Sequence, residues 1–260
     1  MSIADLIREK KPLVHHITNY VTVNDCANTT LAIGALPVMA HSPDEVEDMV
    51  SLAQALVLNI GTLDNSQVAV MIKAGQKANS LGIPVVLDPV GAGATPYRTR
   101  TAETILNEVT VAAIKGNQGE ISVLAGAGGE VKGVESVGQY GDIEESARRL
   151  ALKQGCLVVV TGVEDIVTDG TRLARIANGH PAMGRVVGTG CMGASVLGGF
   201  LAVGTEQWEA AVEAMVFYGV AGELAAELTQ SPAAFKIAFL DSLAGLTGDG
   251  AARRRRVTTR

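Results

Sequence analysis

Aromatic side chains make up only 3% of this 260-residue chain, and it has a single tryptophan. A core therefore has to be assembled from Ala, Val, Leu and Ile, with 30 glycines allowing close backbone approach. That composition suits layered α/β architecture, in which parallel strands are covered on both faces. Cysteine is almost as scarce. Cys26, Cys156 and Cys191 form no C-x-x-C pair, and the odd count excludes a complete internal disulfide set, so the expected compartment is the reducing cytoplasm. No run of roughly 18 apolar residues is present for a membrane span, and the opening MSIADLIREKKP lacks the apolar region of a secretory signal. Charged residues are few as well, at 18%, and the net charge of −6 argues against a nucleic-acid partner. The basic run Arg253–Arg256 has no interleaved aromatics and follows Gly248, Gly250 and Ala251. It reads as a frayed, solvated end, with residues from about 249 to 260 a flexible Arg-rich tail.

What the chain does have is alternation. Ala55–Ile60, Val85–Leu87, Val111–Ile114 and Leu157–Val160 have the length and apolar content of buried strands. Between and before them, Asn65–Leu81, Tyr97–Glu108, Ile143–Gln154 and Val21–Ala35 predict helices, and Pro37–Ala40 a short strand. Ser2 caps a first helix through Lys10, and Ser42-Pro43-Asp44-Glu45 has the form of a capping box for a helix running to about Gln54. Asp169-Gly170 predicts a hairpin joining Ile166–Thr168 to Arg172–Ala177. From Cys191 onward the pattern is helical, over Met192–Ala202, Glu206–Leu228 and Pro232–Leu246. Parallel neighbours need crossover helices, so these units predict a mostly parallel sheet with helices on both faces, in one domain.

In such sheets ligands gather at the carboxyl ends of the strands, and four strand ends here are unusual. Asp88 follows an apolar strand and opens the Gly-rich stretch Pro89–Thr95, which suits a carboxylate near Mg²⁺ and phosphates; it also suits a turn before Pro89. Lys115-Gly116-Asn117-x-x-Glu120 reads as a capping box, from which a carboxylate still reaches a water of a metal shell. Thr161 offers a hydroxyl at a strand end. The sharpest is Gly188-Thr189-Gly190-Cys191-Met192-Gly193, where glycines before a helix aim backbone N–H groups at an anion, and where the helix start is expected to lower the pKa of Cys191. The segment also fits G-x-G-x-x-G. A dinucleotide site needs a second strand after that helix, and another helix follows instead, so that reading is rejected. His15 and His16 are adjacent on a strand and face opposite ways, which argues for structure rather than one metal site. On the residues alone, Met39 reads as core packing.

With these elements in this order, the chain resembles the hydroxyethylthiazole kinases of thiamine biosynthesis, within the ribokinase-like superfamily. The resemblance runs from about Lys11 to Thr247 and rests on His16-Ile17-Thr18-Asn19 with Asn24-Asp25, Asp88-Pro89-Val90-Gly91-Ala92, Lys115-Gly116-Asn117-x-x-Glu120 and Gly188-Thr189-Gly190-Cys191. It implies a three-layer α/β/α fold without a separate lid domain, a homotrimer with active sites between subunits, and transfer of the γ-phosphoryl of ATP to 4-methyl-5-(2-hydroxyethyl)thiazole. It places Met39, Asn19 and Gly188 on the thiazole, Lys115, Thr161 and Asn117 toward ATP, and Asp88 and Glu120 with Mg²⁺. Cys191, with Gly188 and Gly190, would stand at the reacting atoms. Lys115 departs from the arginine common at its position and loses the planar fork. The wider superfamily has an aspartate at the place of Cys191, so Cys191→Asp is expected to retain turnover and Gly190→Val to abolish it. A hydroxymethylpyrimidine kinase, a repair dehydratase of hydrated NADH and a catalytically silent nucleotide-binding relative are the competing readings.

Overall fold

The structure, a computed structural model, describes residues 1–126, 131–132, 135–136 and 142–260. Elements follow the chain as α1 (Ile3–Lys10), β1 (Leu13–Ile17), α2 (Val23–Ala32), β2 (Leu36–Val38), α3 (Val46–Leu52), β3 (Ala55–Asn59), α4 (Asn65–Ser80) and β4 (Val85–Asp88). Then come α5 (Pro96–Glu108), β5 (Ala113–Asn117), α6 (Gln118–Leu124), the short pair β6 (Val131–Lys132) and β7 (Glu135–Ser136), and α7 (Ile143–Gln154). The last part holds β8 (Leu157–Thr161), β9 (Asp165–Thr168), β10 (Leu173–Ile176), a 3₁₀ turn (Pro181–Arg185), α8 (Thr189–Leu201), α9 (Gln207–Leu228), α10 (Pro232–Gly245), α11 (Gly248–Arg253) and β11 (Val257–Thr259).

Among the described residues, nine strands form one sheet in the order β11-β10-β9-β8-β5-β4-β3-β1-β2. From β8 to β2 every pairing is parallel, whereas β9, β10 and β11 run antiparallel. Period-two alternation divides the buried strand residues between two cores. Ala55, Val57 and Val86 join the core under α8, α9 and α10, while Leu56, Leu58, Val85 and Leu87 join the one under α4, α5 and α7. Each fully buried Leu or Ile side chain contributes about 1.5–3 kcal/mol. The result is the three-layer arrangement that the alternation predicts.

Local chemistry explains the helix starts. Asp64 and Thr95 cap α4 and α5 through Gln67 N–H (2.8 Å) and Arg98 N–H (3.3 Å), and Asp142 caps α7. The helix expected from Ser42 starts a turn late: residues 43–45 make a turn, Ser42 Oγ takes only the Asp44 N–H, and α3 begins at Val46. The strand expected to end at Ile114 continues, as β5, to Asn117, because β8 pairs alongside it as far as Thr161. The Arg-rich end is not frayed. α11 packs on α9, and β11 pairs with β10 to close that side of the sheet, which corrects the flexible-tail expectation. Apolar content hides in Ala251 and Val257 there, and backbone pairing needs no particular side chain.

Candidate active site

The apolar run of β4 stops at Asp88, which is only 2% exposed. Beside it, Asn59 ends β3 and donates from Nδ2 to Asp88 Oδ2 at 2.8 Å. Burial pushes the Asp88 carboxyl pKa up, while the charge of Lys115 and the Asn59 hydrogen bond pull it back. One strand further on, β5 leads into the predicted capping box: Asn117 Oδ1 accepts Glu120 N–H at 3.0 Å, and Glu120 Oε2 accepts Asn117 N–H at 2.8 Å. The other oxygen, Glu120 Oε1, accepts Gly91 N–H at 2.8 Å and so pins the loop after β4. Burial, then the negative charge of Asp88, pushes Glu120 up to about 7.

Opposite these strand ends lies the start of α8. Gly188 has φ +98°, and a Cβ added to it would meet Thr22 Cγ2 at 2.7 Å, so backbone conformation and space both require glycine there. Gly190 is different: an added Cβ would meet Lys115 Nζ at an ordinary 3.7 Å. What Gly190 contributes is its carbonyl, which accepts from Lys115 Nζ at 2.7 Å. Met192 N–H closes the first turn on Gly188 O at 2.8 Å, which leaves the N–H groups of Thr189, Gly190 and Cys191 outside the helical ladder at its positive end. Cys191 does not show the lowered pKa expected of a thiol at a helix start. Burial, followed by the charge of Asp88, raises it. The helix itself sits deep in the fold because Gly198 lies against Val57, where an added Cβ would stand 2.7 Å from Cγ2.

A cleft of about 590 Å³ opens beside this centre, lined by Lys115, Thr161, Asp165, Asn178, Gly190 and Tyr218 among others. Thr161 Oγ1 is 3.3 Å from Gly116 O. Asn178 is held on one wall by the chain end: its Nδ2 donates to Arg254 O at 2.8 Å, and its Oδ1 accepts Arg256 N–H at 2.8 Å.

The sequence model of the hydroxyethylthiazole kinase family matches residues 4–249. The chain belongs to the hydroxyethylthiazole kinase family. It is 59% identical to the hydroxyethylthiazole kinase of Thermoanaerobacter pseudethanolicus, over 93% of this chain and 92% of the relative. It is 57% identical to that of Methanocella arvoryzae, over 96% and 94%. The structure of a hydroxyethylthiazole kinase protein from Pyrococcus horikoshii superposes with a TM-score of 0.89 at 42% identity, covering 99% of this chain and 97% of that one. A Staphylococcus aureus pyridoxal kinase solved with AMP-PCP and pyridoxal shares the fold at a TM-score of 0.62 and 15% identity, covering 82% of this chain and 88% of that one.

Within this family member the structure unites most of the sequence-predicted site. Asp88, Glu120 and Lys115 interact electrostatically, Lys115 reaches Gly190, and Asn19 donates to Cys191 Sγ at 3.4 Å. Asn117 uses its side-chain oxygen for the α6 cap. Met39 lies just past the end of the edge strand β2, which is separated from β5 by three strands but pairs with β1, whose end leads to Asn19. His15 and His16 do turn opposite ways. His15 Nε2 lies 2.6 Å from Ala40 O, whereas His16 Nε2 lies 3.2 Å from Ser195 Oγ on α8. Among the described residues no three His, Cys, Asp or Glu side chains gather as a metal cluster. Two residues escaped the sequence reading. Asn59 had a signal, a carboxamide ending an otherwise apolar strand. Arg98 had none, yet it stitches the loops after β3 and β4 by donating to Gly61 O (2.7 Å), Val90 O (2.7 Å) and Ile60 O (3.0 Å).

Proposed function

We propose that this chain transfers the γ-phosphoryl group of ATP to the primary hydroxyl of 4-methyl-5-(2-hydroxyethyl)thiazole, releasing ADP and the thiazole phosphate for thiamine synthesis. The observation that carries this reading is the meeting of Lys115 with the free N-terminus of α8 in the lining of one cleft, with two buried carboxylates, Asp88 and Glu120, within electrostatic reach of that lysine. Lys115 and Thr161 hold the polyphosphate, with Lys115 aimed by Gly190 O. The alcohol oxygen forms the new bond to Pγ as the bond from Pγ to the leaving ADP oxygen breaks. Charge on the transferring group rests on the N–H groups at the start of α8. Transfer of this kind is loose, so the hydroxyl proton leaves late, to an oxygen of the transferred phosphoryl group and then to solvent, and needs no strong base. Cys191, whose raised pKa keeps it a neutral thiol, serves by shaping the acceptor pocket together with Asn19 and Gly188.

Asp88 and Glu120 fit a hard cation, since both are buried and the charge of Asp88 raises the proton affinity of Glu120, a repulsion that a cation relieves. Mg²⁺ on Asp88, with Glu120 toward its waters, would neutralise the phosphates. Met39 completes the thiazole wall from a second copy of the chain in a trimer. Exposed apolar residues on three elements that pack together support that reading: Leu31 on α2, Leu36 on β2 and Ile237 on α10. Among the described residues no helix is long and apolar enough to cross a membrane. ADP release from Mg·ATP tests the reaction, with hydroxyethylthiazole, hydroxymethylpyrimidine, pyridoxal and no alcohol compared. Turnover confined to hydroxyethylthiazole is expected. Turnover only with another alcohol overturns the substrate, and none with any alcohol overturns the kinase reading.

A further inference from the structure

A one-way chain of side-chain amides runs beneath the site. Asn59 is 1% exposed, and its Oδ1 accepts Gly61 N–H at 2.9 Å and Asn19 Nδ2 at 2.9 Å. Its Nδ2 donates to Asp88 Oδ2 at 2.8 Å. Asn19, 3% exposed, repeats the pattern: its Oδ1 accepts Thr22 N–H at 3.0 Å and Thr22 Oγ1 at 3.1 Å, and its Nδ2 donates to Asn59 and to Cys191 Sγ at 3.4 Å. A backbone N–H can only donate, so Gly61 and Thr22 each dictate which end of its amide is oxygen. Flipping Asn59 would set its NH₂ against two donors, and flipping Asn19 would set its NH₂ against a backbone donor as well. The polarity of the whole chain therefore follows from two peptide groups, and it ends by donating to two groups, the Asp88 carboxylate and the Cys191 sulfur.

We infer that Asn59 is a positioning residue for phosphoryl transfer, one carboxamide that holds Asp88 on the phosphate side and, through Asn19, orients Cys191 on the acceptor side. This rests on the reaction proposed above. A residue serving stability alone needs only to be satisfied. Asn59 instead spends its donor on a carboxylate at the reaction centre and its acceptor on the residue that addresses Cys191. The two sides of the transfer are thereby set in register from a single strand end, in a buried place where an amide cannot swing.

Asn59→Asp tests this with almost no change of shape. It keeps an oxygen for Gly61 and Asn19 but replaces the fixed N–H donor facing Asp88 with a carboxyl oxygen, which keeps the contact only where the pair shares a proton, so kcat is followed across pH. We expect kcat to fall by about 100-fold, the range seen when one aligned donor is lost, with KM for Mg·ATP and for the thiazole within about threefold. The paired exchange Asn59→Asp with Asp88→Asn restores a donor–acceptor contact but moves the charge away from position 88. It should recover the melting temperature of the wild type without recovering kcat. Unchanged kcat in folded Asn59→Asp, or full recovery of kcat by the paired exchange, overturns the inference, since packing would then be all that matters. If Asn59→Asp fails to fold, Asn59→Ala, which leaves Asp88 in place, decides by the same criterion: unchanged kcat in the folded variant overturns the inference. Wild-type turnover of the thiazole is the internal control: its absence defeats the parent reading and this proposal together, whereas wild-type turnover that survives Asn59→Asp defeats this proposal alone.

Discussion

The two regions proposed above to hold the phosphates and the acceptor are built on opposite principles. On the phosphate side, at the ends of β4, β5 and β8, each polar group has its partner within the same chain: Lys115 on Gly190, Glu120 on Gly91 and Asn117, Asp88 on Asn59. On the proposed acceptor side, the sheet ends in the short edge strand β2, with Met39 just past it, and the packed elements β2 and α2 leave apolar side chains facing solvent, Leu36 43% and Leu31 57% exposed. The difference teaches which half one chain can complete. Buried charges must be satisfied where they stand, because an unpaired one costs several kcal/mol, so in the proposed reading the phosphate side is finished within one chain. An apolar acceptor wall tolerates being left open until another surface covers it.

The widest separation between the sides should come from Gly188, which joins them. Gly188→Ala forces a Cβ into Thr22 and out of the left-handed region, displacing the start of α8. Loss of the aligned N–H groups is expected to cut kcat/KM by about 10³-fold, whereas Gly190→Ala, which has space, should stay within about tenfold. Equal losses in the two variants would break the distinction and return the steric demand to Gly190. Next, Lys115→Met is expected to lower kcat/KM for ATP by about 10²-fold, with Lys115→Arg retaining most of it. Steady-state kinetics with ATP varied reads this directly.

The acceptor side is broken differently. The double variant Leu31→Glu with Leu36→Lys should leave nucleotide binding by calorimetry intact while lowering turnover by about tenfold and reducing the mass by light scattering to one chain. A fully active monomer would place the whole thiazole site within one subunit and remove the contrast.

The smallest effect concerns neither side but the floor beneath them. His16 is buried, and burial pushes its pKa down to about 4. Between that value and the ordinary 6.5 the unfolded chain binds the proton and the folded one does not, so stability is full above about pH 6.5 and is lost as pH falls toward 4. Denaturant titration at pH 7.5 and pH 5 should show a loss of about 2 kcal/mol from this group. His16→Gln should flatten that slope, and an unchanged slope would assign the pH dependence to other groups.

Particular residues show how far the sequence could be read. Alternation of apolar runs with capped helices predicted the sheet, because burial and capping act over a few residues and leave a local imprint. The Asn117–Glu120 capping box is the sharpest case, four residues whose reciprocal bonds could be drawn before any fold was known. The Ser42 capping box failed: residues 43–45 close a turn on Ser42, and α3 starts only at Val46. Cys191 shows the limit for chemistry. Helix position alone lowers a thiol's pKa, but burial and the neighbouring Asp88, which stand more than a hundred residues away or have no sequence address at all, reverse it.

By itself, then, the sequence determined the alternation of central strands and helices, the polar and Gly-rich segments at strand ends, and the family pattern in which they fall. Tertiary structure alone decided that Asn59 lies between Asp88 and Asn19, that Arg98 ties two loops, that the Arg-rich end pairs with β10, and that Gly188 rather than Gly190 requires its missing side chain. The physical reason is range. Propensity, periodicity and capping are settled among neighbours in the chain, while desolvation, amide polarity and close approach depend on groups brought together only when the sheet forms.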